Sequence, residues 1–587
     1  MAFSRSCAFS VVWCCLFLLQ IGGFAQQPAS AGSASDAYQR GVHAYESGDE
    51  AAALTMFERA ARMEPSNPDY QNAIGQALLR KGDAAKAIPH FRRVIRLRPD
   101  LAVTHAFLGQ ALLSDHQTEA AVEEYRVAVK MAPSVPEAHQ GLGKALSIKG
   151  DTEGAIAEYR QALAVASDRP ALFDELGVLL AQKNDFAGSE EQFRAALNLD
   201  PQYEPAHFHL GAAMLSLKEI APAKDQLQLA VSLAPNDALA HFYLGRALEQ
   251  SGDNASALVS YKQAAERQPD LPQVQLRLGL VAQRAGDMPV AITAFQKALS
   301  QAPNDVDLHN DLGLAYMQSG DAADSIREFN EAIKARPDDA EYVGNLAAAY
   351  LQQSDFDAAK ENFERALQLA PNNASLHHDL ALTLKLKDNL PGAITELREA
   401  IRLDPNLSDA HYTLGVTLWQ HGDWPEAIEQ LQAAVHDKPD YAEAYYTMGS
   451  VYKQMNKLPE AAEALRTALR LQPDFAGAHT TLAGVLRQLG DTAGAAEESR
   501  AGAEWSRKKT NQQAALFATN SGRRLLDAGD IEGAISQLHR AVNAAPDYAP
   551  GHFYLGTALL RKGLIPEANS EFAKATELDP RLKAPTK

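Results

Sequence analysis

Proline returns along most of this chain at a fixed interval of 34 residues. The interval is interrupted once, between Pro133 and Pro201, where Ser167 stands at the intermediate position. A fixed period of this length predicts small supersecondary units that stack in a row, because one such unit cannot bury an apolar core alone. The prolines of the series are Pro65, Pro99, Pro133, Pro201, Pro235, Pro269, Pro303, Pro337, Pro371, Pro405, Pro439 and Pro473.

Other positions keep the same period when the repeats are counted from Ala34. Glycine stands at position 8 of most repeats, Ala or Ser at position 20, Ala at position 27, and usually an aromatic residue or Leu at position 24. Small side chains let two helices approach closely, and one large side chain then fills the remaining space. Proline at position 32 ends the second helix. Each repeat is therefore predicted to be two helices joined by a short turn, often Gly-Asp as at Gly82 and Asp83.

This pattern resembles the tetratricopeptide repeat in its period, its Leu-Gly pair, its small residues and its terminal proline. Repeat seven carries all of them in AHFYLGRALEQSGDNASALVSYKQAAERQP, although position 4, where the family favours an aromatic residue, is often His. The resemblance implies an all-α fold, an α-solenoid of about 16 tandem 34-residue helix-turn-helix repeats in a right-handed superhelix. The repeats are also similar to those of O-linked N-acetylglucosamine transferases, without the catalytic domain of those enzymes.

The repeats account for nearly the whole chain and leave no segment for a catalytic domain. Fourteen in-phase repeats cover 34–509, an out-of-phase insertion covers 510–514, two further repeats cover 515–582, and a tail covers 583–587. Sixteen repeats predict 32 helices. Between 503 and 521 there is neither Gly nor Pro, so the second helix of repeat fourteen is predicted to run on past Lys509. A functional bend and a tolerated insertion are both open interpretations of this phase break.

The first 25 residues have the pattern of a secretory signal peptide. Arg5 is followed by an apolar stretch from Val11 to Leu19 and by the small-x-small sequence Gly23-Phe24-Ala25. An uncleaved membrane anchor is the alternative, although the apolar stretch is about half of the ~20 residues that a spanning helix needs. Residues 26–33 are predicted to be a flexible linker. The sequence thus predicts export to the periplasm or cell envelope, or secretion, with no stable membrane insertion after cleavage.

Neither the motifs nor the composition indicate a catalytic, cofactor or metal site. All three cysteines lie in the predicted signal peptide, and no zinc-protease, nucleophile-elbow or phosphate-loop motif is present. The net charge of −19 argues against a nucleic-acid partner. We therefore expect no enzyme activity, no cofactor and no metal site. Nine histidines at position 4 are interpreted as partly buried packing residues: His105, His139, His207, His241, His309, His377, His411, His479 and His552.

Two patches on the first helices are candidate binding sites for a protein or peptide. In this family the first helices line a concave groove, and aromatic residues together with Arg or Lys are typical of contact hot spots. The alternative is that these aromatic residues only cover neighbouring helices. The first patch contains Phe208, Phe242 and Arg246, and the second contains Tyr412, Trp419, Tyr446, Lys453 and Arg487.

These observations favour a non-enzymatic interaction scaffold of the cell envelope with an unidentified protein or peptide partner. The sequence keeps two alternatives open, an accessory subunit of an enzyme complex for glycosyl transfer or envelope polymer assembly, and a saccharide-binding solenoid. Only RLKAPTK follows the last proline position, whereas repeat arrays usually end in a polar capping helix, so we expect the last apolar face to be covered by another subunit. Self-association through this uncapped C-terminal repeat is a further expectation.

Overall fold

The structure is a computed structural model that describes residues 32–582 and 584. The described residues form helices and turns without a β-strand, in agreement with the predicted all-α fold. The 31 helices in the described part of the chain are α1 (Ala34–Glu46), α2 (Glu50–Met63), α3 (Pro68–Arg80), α4 (Ala84–Leu97), α5 (Ala102–Ser114), α6 (Thr118–Met131), α7 (Pro136–Lys149), α8 (Thr152–Val165), α9 (Pro170–Gln182), α10 (Phe186–Leu199), α11 (Glu204–Ser216), α12 (Ile220–Leu233), α13 (Ala238–Gln250), α14 (Asn254–Arg267), α15 (Val274–Arg284), α16 (Met288–Gln301), α17 (Val306–Ser319), α18 (Ala322–Ala335), α19 (Ala340–Gln352), α20 (Phe356–Leu369), α21 (Ala374–Leu386), α22 (Leu390–Leu403), α23 (Ser408–His421), α24 (Trp424–Asp437), α25 (Ala442–Gln454), α26 (Leu458–Leu471), α27 (Ala476–Gln488), α28 (Thr492–Asp527), α29 (Ile531–Ala544), α30 (Ala549–Lys562) and α31 (Ile565–Leu578).

The described residues divide into two compact units, one that ends at Asp311 and one that begins at Leu312. In each unit, the two helices of a repeat pack against each other, and the second helix packs against the first helix of the next repeat. First helices of neighbouring repeats also touch directly, as α11 touches α13 in the first unit and α23 touches α25 in the second. Each repeat therefore buries its apolar residues mainly against its neighbours in sequence.

In most repeats, a glycine at position 8 of the first helix contacts the large side chain at position 24 of the second helix. A Cβ atom on Gly279 would lie 2.5 Å from Cε1 of Phe295, so only glycine fits beside this fully buried ring without rearrangement. The same relation recurs in the second unit, where a Cβ on Gly313 would lie 2.6 Å from Cε1 of Phe329. The period seen in the sequence thus reflects one steric contact that is repeated along the chain.

The turn inside each repeat passes through the left-handed region at position 15. Ten repeats have glycine there, as at Gly252 with φ 83°, and the other six have a residue with a side chain, as at Lys218 with φ 63°. Glycine adopts this conformation without the steric cost that a Cβ atom introduces. The Gly-Asp turns of the sequence are therefore the low-strain form of a turn that all sixteen repeats make.

The phase break lies inside one continuous helix. α28 runs for 36 residues, from Thr492 to Asp527, and combines the second helix of repeat fourteen with the first helix of repeat fifteen. This fusion is the reason why the described residues contain 31 helices where 32 were predicted. Residues 506–514 are exposed around the whole helix circumference, so this middle part of α28 buries no side chain against the repeats before or after it, although Lys508 forms an ion pair with Asp547.

Repeat fifteen begins a new stack, and its first helix shows this at position 3. In repeats two to fourteen, the residue at position 3 is at most 8% exposed because it packs on the preceding repeat. Phe517, at position 3 of repeat fifteen, is 73% exposed, since the helix that would cover it has become the N-terminal half of α28. Positions 7 and 10, apolar or small in repeats two to fourteen, are also polar here, as Ser521 and Arg524.

The N-terminal predictions fall mostly outside the described residues. The predicted signal peptide and the linker up to residue 31 lie in that part of the chain, whereas Ser33 caps α1 by accepting a hydrogen bond of 3.1 Å from the backbone N–H of Asp36. Among the helices that the structure describes, none is both long enough and apolar enough to cross a membrane.

Candidate functional site

Side chains on neighbouring first helices meet at a sequence separation of 35. The amide Nε2 of Gln140 donates to Oε2 of Glu175 at 2.8 Å, and Nε1 of Trp419 donates to Oε1 of Gln454 at 2.6 Å. One period of 34 brings a residue to the equivalent place on the next helix, and one further residue shifts it toward the previous helix. The residue 35 positions later therefore decides whether a side chain on this surface is covered or exposed.

The first predicted patch is corrected by the structure, because its two phenylalanines belong to the core. Phe208 is 0% exposed, and its ring meets the Tyr243 ring edge to face at 5.4 Å, 35 residues later. Phe242 is also buried, with its ring 5.7 Å from those of Tyr243 and Tyr261. Neither phenylalanine can contact a ligand directly. Arg246 remains half-exposed on the same helix as Phe242.

The two tyrosines of the second predicted patch remain half-exposed, because the residue 35 positions later is small in both cases. The residues 35 positions after Tyr412 and Tyr446 are Thr447 and Thr481, whose side chains are too small to cover a tyrosine ring. Each tyrosine instead pairs on one side with an aromatic residue at position 34 of its own repeat, and its other side remains accessible. The pairs are Tyr412 with Tyr441, with ring centroids 4.8 Å apart, and Tyr446 with Phe475 at 4.7 Å.

The remaining three predicted residues occupy position 12 of three successive repeats. Trp419 is half-buried and is held by its hydrogen bond to Gln454. Lys453 is half-buried, with its ammonium lying above Gly484 of the next first helix, and Arg487 is exposed. We call the five side chains Tyr412, Trp419, Tyr441, Tyr446 and Phe475 the aromatic row. Lys453 lies on the helix of Tyr446, and Arg487 lies on the next first helix, α27.

Tyr441 joins the aromatic row to two charged side chains. Its hydroxyl donates to Oδ1 of Asp409 at 3.1 Å, and Nζ of Lys438 lies 4.3 Å from its ring centroid. Partial burial, reinforced by the carboxylate of Asp409, raises the pKa of the Tyr441 hydroxyl well above its ordinary value. Tyr441 therefore stays a neutral hydrogen-bond donor, and its ring is fixed in place against Tyr412.

Tyr441 and Phe475 were not among the predicted site residues, because the prediction used only positions inside the first helices. Position 34 immediately precedes the first helix of the next repeat, yet its ring packs on the tyrosine at position 5 of its own repeat. A search for aromatic residues 29 positions apart would have found both pairs, since this spacing is shared by Tyr412 with Tyr441 and by Tyr446 with Phe475.

The histidines at position 4 are held by hydrogen bonds as well as by packing. Each bonding partner lies at a fixed separation, either a Glu or Gln 19 residues later or a proline carbonyl six residues earlier. His207, for example, places Nδ1 2.7 Å from Oε1 of Gln226 and Nε2 3.0 Å from the carbonyl oxygen of Pro201. Among residues 32–582, no three His, Cys, Asp or Glu side chains are arranged to hold a metal ion.

Family models match nearly the whole repeat region. The model described as tetratricopeptide repeat matches 38–102, 108–171, 149–204, 219–272, 244–306, 276–340, 310–374, 446–504 and 519–582, and the model described as TPR repeat matches 384–422 and 419–456. The chain belongs to the tetratricopeptide repeat family. The resemblance found in the sequence and the α-solenoid class are thereby confirmed.

Solved structures of other repeat proteins are similar to parts or most of this tetratricopeptide repeat chain. MamA is 27% identical, with a TM-score of 0.27, and the match covers 28% of this chain and 96% of MamA. The Cut9–Hcn1 hetero-tetramer is 15% identical, with a TM-score of 0.32 and coverage of 90% and 97%. YrrB, described as a TPR protein with an unusual peptide-binding site, is 21% identical, with a TM-score of 0.29 and coverage of 34% and 97%. No curated protein matches the sequence.

Proposed function

We propose that this tetratricopeptide repeat protein is a non-enzymatic scaffold that binds a protein or peptide against the aromatic row. The observation that carries the proposal is that Tyr412, Trp419 and Tyr446 remain half-exposed on adjacent first helices, whereas Phe208 and Phe242 of the first predicted patch are buried. Half-exposed aromatic rings beside Lys453 and Arg487 provide apolar area together with charge, the combination found at contact hot spots.

We further propose that the scaffold works in the cell envelope. The N-terminal sequence supports this location, since Arg5, the apolar stretch 11–19 and the small residues around Ala25 match a cleavable export signal. Determination of the N-terminal residue of the protein purified from its native cells tests the location. Gln26 is the expected first residue, and an intact Met1 in a cytoplasmic fraction would refute export.

The binding site is tested by chemical crosslinking and mass spectrometry in the native cells with the double variant Trp419→Ala and Tyr446→Ala. Each desolvated aromatic anchor typically contributes ~2 kcal/mol or more to binding, so capture of the partner should fall strongly. Trp424→Ala is the control, because Trp424 lies on the second helix of the repeat that contains Trp419 and is exposed there. Unchanged capture by the double variant, or equal loss with the control, would refute the site.

The accessory-subunit alternative predicts a different set of captured proteins. If the scaffold serves an enzyme complex, a transferase or polymer-assembly enzyme should crosslink through the same aromatic row and be lost in the same double variant. Capture of non-enzymatic partners alone favours the simple scaffold.

A further inference from the structure

Three arginines surround one carboxylate on the first helices of repeats seven and eight. Glu249 on α13 accepts a contact from Nη2 of Arg284 and lies 3.6 Å from Nη1 of Arg277, both at its Oε1. Its Oε2 accepts a 2.7 Å hydrogen bond from the hydroxyl of Tyr261. Glu249 is nearly buried, whereas the two guanidinium groups remain accessible, with side chains 39% and 47% exposed.

The third arginine is positioned by the buried aromatic residues of the first predicted patch. The guanidinium carbon of Arg246 lies 5.1 Å from the ring centroid of Tyr243, which is held edge to face between Phe208 and Phe242. A planar cation stacked on a fixed ring loses little further freedom when it binds an anion. The two phenylalanines thus act on this surface indirectly, as support for Arg246.

Arg246, Arg277 and Arg284, which we call the arginine cluster, line a cavity of about 240 Å³ together with Glu249 and Gln250. Three positive charges face one negative charge in this cavity, although the chain as a whole has a net charge of −19. The Nε atom of Arg277 is buried and has no hydrogen-bond partner among the described residues. Glu249 therefore leaves part of this positive charge uncompensated beside a cavity large enough for a ligand group.

We infer that the arginine cluster binds the carboxylate side chains of an acidic peptide segment. The inference rests on the proposed scaffold function and names the chemistry of one bound segment. Glu249 already shows that a carboxylate is bound here, since its Oε1 accepts from Arg284 and lies within ion-pair range of Arg277. An acidic segment is repelled by most of the surface of a strongly acidic protein and is attracted here, so the cluster fixes where such a segment lies.

The experiment measures binding of a fluorescein-labelled pentaglutamate peptide to the mature chain by fluorescence anisotropy, with pentaglutamine as the neutral probe. The double variant Arg246→Gln and Arg284→Gln should weaken pentaglutamate binding about tenfold or more, because charge-assisted bidentate contacts are lost. The matched control is Arg194→Gln with Arg160→Gln, which removes two exposed arginines from second helices of the same unit. Its binding should change less than about twofold, since exposed charges are screened.

Arg246→Lys with Arg284→Lys provides a second test, because it preserves the charge and removes the planar fork. This variant should show an intermediate loss, with unchanged helicity by circular dichroism. Equal losses in the cluster and control variants, or binding of pentaglutamine as tight as that of pentaglutamate, would overturn the inference. Displacement of pentaglutamate by equimolar inorganic phosphate would also overturn it, since the cluster would then bind free phosphate. The scaffold proposal would stand in each case if the Trp419 and Tyr446 variants still lost their partner.

Discussion

In the fourth repeat, Nδ1 of His139 on the first helix lies 2.7 Å from Oε2 of Glu158 on the second helix. The other ring nitrogen, Nε2, lies 3.1 Å from the carbonyl oxygen of Pro133, which ends the preceding repeat. The buried imidazole therefore ties together both helices of its own repeat and the end of the repeat before it. Histidine at position 4 thus connects neighbouring repeats with polar bonds that the usual aromatic residue cannot make.

His139→Phe should destabilise this part of the stack by about 1 kcal/mol, because the contacts of the imidazole with Glu158 and with the carbonyl of Pro133 are lost at a partly buried site. Hydrogen exchange of the α7 and α8 amides measures the local effect. The double variant His139→Phe and Glu158→Leu should recover part of the loss, since it replaces both partners of the side-chain pair with apolar groups. His421→Phe is the control, because His421 bonds Asp423 at an exposed site.

Gly279→Leu should disrupt packing locally, at a cost of about 1–3 kcal/mol or more, because a side chain there collides with the ring of Phe295. Hydrogen exchange should show loss of protection in α15 and α16, while distant repeats keep theirs. Gly477→Ala is the matched control, because a Cβ there meets its nearest atom at an ordinary 3.5 Å. Cooperative unfolding of the entire chain from Gly279→Leu would contradict the nearest-neighbour picture of the repeats.

Lys218→Gly should stabilise the first unit by roughly 0.5–1 kcal/mol. Lys218 adopts φ 63° at position 15, and glycine relieves the Cβ strain there, partly offset by the greater freedom of the unfolded chain. Chemical denaturation measures the change. Ser216→Gly, placed within the last turn of α11, should instead destabilise by about 0.5–1 kcal/mol, so equal effects of the two substitutions would refute the strain argument.

Glu175→Gln should stabilise the protein near neutral pH and leave its stability in acid unchanged. Burial raises the pKa of the Glu175 carboxyl, against the opposing hydrogen bond from Gln140 and charge of Lys144. A carboxyl with a raised folded-state pKa costs stability as the pH rises above its ordinary value. Thermal unfolding at about pH 4 and about pH 7 checks this difference.

Glu153→Gln is a control in which the pH-dependent change in stability has the opposite sign. The exposed ion pair with Lys183 lowers the pKa of the Glu153 carboxyl, so its contribution is present at neutral pH and is lost in acid. This variant should be slightly less stable than the wild type at about pH 7. A pH response of the same sign in both variants would contradict the assigned causes.

Phe517→Ala should leave the stability of the protein nearly unchanged, within about 0.5 kcal/mol, because Phe517 is exposed at the start of the second stack. Leu376→Ala, at the same repeat position in an internal repeat, should cost about 2–5 kcal/mol, since its side chain is buried. Chemical denaturation of the two variants tests whether repeat fifteen truly lacks a covering neighbour.

Self-association through the last repeat stays a prediction, and analytical ultracentrifugation of the wild type tests it.

The repeat and nearly every helix could be predicted from the order of the residues. Gly279 and Phe295 stand at fixed positions because a steric contact within one repeat is local, and a local contact leaves a period that can be counted. The continuous helix through Lys509 was also predictable, because a helix continues where neither Gly nor Pro ends it. These features depend on residues that are close in sequence, so they can be predicted without tertiary coordinates.

Which aromatic residues on the first helices are exposed could not be predicted, because it depends on contacts between neighbouring repeats. Phe208 and Tyr412 occupy the same repeat position, yet Tyr243 covers the first and Thr447 leaves the second half-exposed. Exposure at one position thus depends on the size of a residue 35 positions later, on a neighbouring helix. A period of 34 shows which residues occupy the same repeat position. It does not show which residues at different repeat positions touch, because that depends on how adjacent helices are offset along their axes.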